Sequence, residues 1–157
     1  RGISGQTTPQ MLIRFRPDVI DLKPAIVIIL AGINDIAENT GPMTLEETAG
    51  NIFSMAQLAK AANIKVIISS VLPANTFPWR PEIKPAEKVI ELNILLKQYC
   101  EENRITYLDY YSHMVDDKKG LDSRYGDDGV HPNLAGYKVM EGLVENAIKS
   151  ALEKNGK

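Results

Sequence analysis

The chain has 157 residues, 44% of them hydrophobic and 24% charged, and its 18 basic and 20 acidic side chains leave a formal charge of -2. That size fits one domain with a real core, and the charge offers no basic excess to favour nucleic acid or an anionic membrane surface. The single cysteine, Cys100, excludes an internal disulfide framework and a multi-cysteine zinc site. The longest apolar run, Ala25–Ile33, falls far short of the ~20 residues that a membrane helix needs.

The chain opens on Arg1-Gly2-Ile3-Ser4-Gly5-Gln6-Thr7-Thr8, a glycine-rich loop ahead of a helix that begins near Pro9. Residues 25–31, AIVIILA, form the β-branched run expected of a strand buried on both faces. Ala31-Gly32-Ile33-Asn34-Asp35 follows it. Thr44 is placed to cap the next helix, with Glu47 as its capping-box partner and Leu45, Thr48, Ile52, Met55, Ala59 and Ala62 on one face. Residues 64–72, IKVIISSVL, read as a second strand. The loop 73–85, PANTFPWRPEIKP, carries four prolines together with Phe77 and Trp79. Such a loop is stiff and apolar at its tip, and suits either a substrate wall or a loop packed on the domain. Pro85 stands near the start of a helix bearing Val89, Leu92, Leu96 and Tyr99. Residues 105–110, ITYLDY, read as a third, more polar strand. The last helix follows Pro132, with Leu134, Tyr137, Met140, Val144, Ile148 and Leu152 at spacings of three and four.

Alternation of helix and strand implies an α/β fold with a parallel sheet covered by helices on both faces. In such sheets ligands bind at the carboxyl ends of the strands, so the loops after residues 31 and 110 are the places to look for chemistry. Asp128 and His131 lie three residues apart just before a helix, with Gly129 between them. A histidine acting as general base needs one ring nitrogen held by a partner so that the other faces the substrate, and a carboxylate one turn away supplies that partner. The same residues also fit acids approaching a helix and a surface histidine. Asn34 leaves a strand end where an amide N–H can stabilise an oxyanion, although an Asx turn would place an asparagine there too. Asp35 is expected to be structural. A Gly5 N–H can reach an oxyanion closely, and the loop around it is otherwise a generic strand-to-helix connection. Cys100 and His113 are expected to be a structural thiol and a plain loop histidine.

Taken together in this order, the segments resemble those of the SGNH hydrolases, the GDSL family of lipases, esterases and acylhydrolases. The ISG segment is similar to the block that supplies the oxyanion glycine, at Gly5. The GIND segment is similar to the block that supplies the oxyanion asparagine, at Asn34. DDGVHPN is similar to the block that supplies the triad acid and base, at Asp128 and His131. The resemblance runs over essentially the whole chain. It implies a three-layer α/β/α sandwich around a parallel sheet of the flavodoxin-like kind. It also implies a serine esterase working on carboxylic esters with no metal or cofactor.

The family's Gly-Asp-Ser block, which carries the nucleophile, has no counterpart among Ser4, Ser54, Ser69, Ser70, Ser112, Ser123 and Ser150. Arg1 falls where the family has completed its second strand. The expectation is therefore that residues 1–157 are the C-terminal part of one hydrolase domain. The first two strands and the serine would lie in an N-terminal segment of the same protein, and the chain alone would be inactive. The expected substrate is a short-chain ester, acetyl in particular, on a small molecule or a carbohydrate, with Trp79 and Phe77 as candidate substrate contacts. A glycan-binding module on a degenerate hydrolase fold, a lysophospholipase or a thioesterase are the alternatives. A nucleotide- or flavin-binding domain has no G-x-G-x-x-G loop to support it. Secretion or export to a periplasm is compatible with these residues.

Overall fold

The structure, a computed structural model, describes residues 1–153. In chain order the elements are α1 (Thr8–Ile13), α2 (Phe15–Asp18), a single 3-10 turn (Ile20–Leu22), β1 (Ile26–Ile29), α3 (Ile33–Ile36) and α4 (Leu45–Ala61). These are followed by β2 (Lys65–Ser69), α5 (Ala86–Asn103), β3 (Thr106–Leu108), α6 (Tyr111–Met114) and α7 (Leu134–Glu153). The three strands occupy the cores of the three apolar runs. They pair in parallel in the order β1-β2-β3, with Ile26 opposite Lys65, Ile29 opposite Ile68 and Ser69 opposite Leu108.

Both crossovers, through α4 and α5, step the same way across the sheet. Right-handed connections therefore place both helices on one face. That face is packed by Val66 and Ile68 from the sheet, Ile52, Met55 and Ala56 from α4, and Val89, Leu92 and Leu96 from α5. Ile67 points the other way with Leu108, into a smaller cluster closed by Met140, Ala147 and Ala151 of α7. Alternation along the strands thus builds the expected three-layer α/β/α sandwich.

Helix ends follow local chemistry. The Thr44 side chain accepts from the Glu47 N–H at 3.1 Å, and the Glu47 carboxylate accepts from the Thr44 N–H at 2.9 Å, closing the capping box that starts α4. Arg104, in the left-handed region at φ 56°, ends α5.

In α7 the expected face holds in part: Met140, Val144 and Ile148 pack into the smaller cluster. The buried residues of the helix are Gly136, Met140, Ala147 and Ala151, whereas Leu134, Tyr137 and Leu152 are exposed. Small side chains let the helix approach closely. A Cβ added at Gly136 would lie 2.4 Å from the Tyr125 carbonyl oxygen, so the first turn of α7 sits tight against the loop that carries Tyr125. No helix among the described residues is long and apolar enough to cross a membrane.

Candidate active site

Asp128, Gly129, Val130 and His131 form a tight turn just ahead of α7. Gly129, at φ 79°, takes the left-handed conformation this turn needs. Asp128 Oδ1 accepts from the Val130 N–H at 2.9 Å and the His131 N–H at 2.8 Å, while Oδ2 lies 2.7 Å from His131 Nδ1. One carboxylate therefore fixes both the backbone and the ring of the histidine. A carboxylate can only accept, so Nδ1 carries a proton, and in the neutral ring the lone pair is therefore on Nε2. Burial pushes the Asp128 carboxyl up, but bonds from the His131 backbone and ring and from the Val130 N–H outweigh it and hold the group down at about 2.

The turn is anchored from behind by Asn133. Its side-chain oxygen accepts from the N–H groups of Ala135 and Gly136 at 3.0 and 3.1 Å, capping α7, and its amide donates to Asp127 at 3.1 Å. An Asn followed by a run of apolar spacing is a helix-start signal, and it was open to sequence reading.

Asn34 sits in α3, a single turn entered through Gly32. A Cβ at Gly32 would lie 2.6 Å from Leu92 Cδ2, and its φ is 118°. Asn34 Nδ2 donates to the Gln6 carbonyl at 2.9 Å, and Asn39 Nδ2 donates to the Gly5 carbonyl at 3.1 Å. The turn around Gly5, itself at φ 75°, is thereby drawn against α3.

A hollow of about 300 Å³ lies at the carboxyl ends of the strands, and Gly5, Asn34, Leu72, Trp79, Val130 and His131 line it. Residues more than a hundred positions apart in the chain thus meet where an open parallel sheet binds ligands. Trp79 is 48% exposed, and its ring centroid lies 5.8 Å from that of His131. Phe77 is fully buried beneath it, with ring centroids 5.4 Å apart, so it supports Trp79 and offers no surface of its own. Arg80 holds this loop in place by donating to the carbonyls of Ala37 and Glu38 at 2.8 and 3.1 Å. Those contacts join positions 43 and 42 residues apart, and nothing in the local pattern signals them.

Ser4 also lines the hollow, but among the described residues no serine is hydrogen-bonded to His131. Ser70 is committed elsewhere, accepting from the N–H groups of Tyr110 and Tyr111. His113 lies in α6, with Nδ1 3.0 Å from the Asp109 carbonyl oxygen. Cys100 is buried, and burial first and Glu101 second push its thiol up to about 12. Among the described residues no three His, Cys, Asp or Glu side chains converge as a metal site would require.

A carboxylate-held imidazole at the carboxyl edge of a three-layer parallel sheet is an arrangement met in α/β hydrolytic enzymes. Comparison with known proteins agrees. Residues 1–139 match the model of the GDSL-like lipase/acylhydrolase family, and the chain belongs to that family. A GDSL-like lipase from Bacteroides thetaiotaomicron superposes with a TM-score of 0.94 at 54% identity, over 96% of this chain and 75% of that one. The acetylxylan esterase of Geobacillus stearothermophilus shares the fold, with a TM-score of 0.78 at 24% identity over 94% of this chain and 70% of that one. Esterase TesA of Pseudomonas aeruginosa is 37% identical over 78 residues, 49% of this chain and 37% of that protein. The uncharacterized lipoprotein YqeF of Bacillus subtilis is 32% identical over 75 residues, 46% of this chain and 31% of that protein, so the matches span about a third of the length of these two curated relatives.

Proposed function

We propose that residues 1–157 are the C-terminal part of a single serine-esterase domain, supplying the base, its orienting acid and the oxyanion donors. The observation that carries this reading is the 2.7 Å contact between His131 Nδ1 and Asp128, on the rim of a hollow that Gly5 and Asn34 also line. The nucleophilic serine is assigned to a segment preceding Arg1. The exposed edge of β1 supports that assignment. Ile28 and Leu30 are 38% and 41% exposed, and a second hollow of about 520 Å³ runs along this strand between Met11, Phe15 and Val19.

In the proposed mechanism the serine hydroxyl attacks the ester carbonyl and gives its proton to His131 Nε2. Asp128 keeps the ring in the right tautomer and stabilises the imidazolium. The oxyanion accepts from the Gly5 N–H and from the Asn34 amide. His131 then protonates the leaving alcohol, and a water activated by the same nitrogen hydrolyses the acyl-enzyme. The alcohol must lie beside His131, so Trp79 faces the alcohol side of the substrate. A flat, partly exposed ring suits the apolar face of a sugar. A hollow near the lower end of ligand-pocket sizes suits a short acyl group, acetyl in particular.

Fluorophosphonate labelling of the full-length protein, read by intact mass, tests the reading. One adduct on the wild type, none on residues 1–157 alone, and faster turnover of acetyl than of octanoyl esters are the expected results. A full-length protein that takes no adduct while still binding acetylated xylo-oligosaccharides would instead be a binding module.

A further inference from the structure

Asp35 is 3% exposed, and among the described residues its carboxylate is in no ion pair. Burying such a group is costly unless its oxygens are satisfied. They are satisfied by one residue: the Thr8 N–H lies 2.9 and 3.1 Å from the two oxygens, and the Thr8 hydroxyl donates at 2.6 Å. Asn51 in turn donates to that hydroxyl at 3.2 Å. Burial pushes the Asp35 carboxyl above its ordinary value, and the bonds from Thr8 oppose the shift.

The two segments joined in this way carry Gly5 and Asn34. Neither is stiff alone. α3 is a single helical turn, and the Gly5 loop relies on a left-handed glycine. The links between them run in both directions. Asn34 and Asn39 donate to the Gln6 and Gly5 carbonyls, Thr7 and Thr40 share a hydroxyl contact at 3.0 Å, and the Thr8 N–H donates back to Asp35. The Asp35 contact is the charge-assisted member of the set and the most buried. Asn34 spends one amide N–H on Gln6 and keeps the other for a ligand.

We propose that Asp35 is a positioning residue, whose buried carboxylate clamps the Gly5–Thr8 turn to α3 and so fixes the separation of the two oxyanion donors. The inference rests on the reading of Gly5 and Asn34 as those donors. Pre-organised donors stabilise a transition state only while their geometry holds, and small displacements are expensive.

The test uses the full-length protein and Asp35→Asn, which keeps the shape and removes the charge. kcat on an acetyl ester falls by roughly 10–100-fold while KM stays within about twofold. Affinity for a boronic acid, which forms a tetrahedral adduct on the serine, weakens by the same factor. In an Asn34→Ala background the added loss shrinks to less than about threefold, because both changes disable one device. Thr8→Val, a milder change, moves kcat the same way by less. Independently of any activity, hydrogen exchange of the amides at residues 5–8 rises by about tenfold or more while that of β2 is unchanged.

Unchanged exchange at residues 5–8 in a folded variant would overturn the proposal, as would effects of Asp35 and Asn34 that simply multiply. A wild type without esterase activity would overturn the esterase reading alone, and the exchange measurement would still decide whether the clamp exists.

Discussion

Asp128 works on His131 at two points, and the two have different consequences. Its Oδ1 holds the backbone of the turn, whereas its Oδ2 selects the tautomer of the ring. Asp128→Asn keeps an oxygen for the backbone but offers the ring an ambiguous partner. We expect kcat to fall by roughly three to four orders of magnitude at neutral pH with the fold retained, as loss of a triad acid does elsewhere. Stability supplies a second measurement. The Asp128 carboxyl sits at about 2 when folded, below the ~3.9 of an unfolded aspartate. A depressed carboxyl contributes stability that is present above the unfolded value and lost as pH falls through the folded one. The Tm difference between wild type and Asp128→Asn should therefore be full at pH 5 and narrow from about pH 4 down to pH 2. A gap that stayed constant across that window would mean the carboxylate is not held by these bonds. This pairing was legible in the sequence because it is local. Three residues with a glycine between them allow few geometries. The bonds from Asn34 to Gln6 and from Arg80 to Ala37 and Glu38 were not legible, because they exist only once the sheet has gathered the loops.

Elements were legible where a local signal set them. Thr44 and Glu47 bracket the start of α4, and the structure closes both halves of their box. Thr44→Ala should cost about 1 kcal/mol, lowering the Tm by roughly 2–4 °C without changing the active site. Gly32→Ala at the entry to α3 is a harsher change. Its Cβ would meet Leu92 at 2.6 Å in a conformation that L residues rarely adopt. We expect a loss of about 2 kcal/mol or more, together with lower activity because Asn34 lies two residues on. Differential scanning calorimetry of the two variants beside esterase rates would separate a cap from a site-bearing turn. α7 shows why the rest was hidden. Counting large apolar side chains selected Leu134 and Tyr137 along with Met140, yet the first two are exposed, and the residues buried beside Met140 are Gly136, Ala147 and Ala151. Hydrophobic spacing ranks residues by size, while packing against a sheet at short range rewards smallness.

At the scale of the molecule, the two edges of the sheet differ in what covers them. Among the described residues β1 and β3 are each paired only with β2. Val27 and Ile29 join the core beneath α4, but Ile28 and Leu30 on the opposite face are substantially exposed, because α7 lies over β2 and β3. A strand with free backbone donors and acceptors and β-branched side chains is a template for another strand. If the proposed N-terminal segment supplies that strand, the same apolar surface that completes the full-length protein is a liability in residues 1–157 alone. Residues 1–157 should then bind a hydrophobic dye such as ANS and associate at tens of micromolar in sedimentation velocity, whereas the full-length protein does neither. Ile28→Lys should suppress association of residues 1–157 by placing a charge on the open face. In the full-length protein the same change should destabilise the fold by several kcal/mol, because there the lysine would be buried. Opposite signs in the two settings are what a covered strand requires. A monomeric, dye-free chain of residues 1–157, or a full-length protein indifferent to Ile28→Lys, would mean that this face is solvated in both, and that the serine must reach His131 by some route other than along β1.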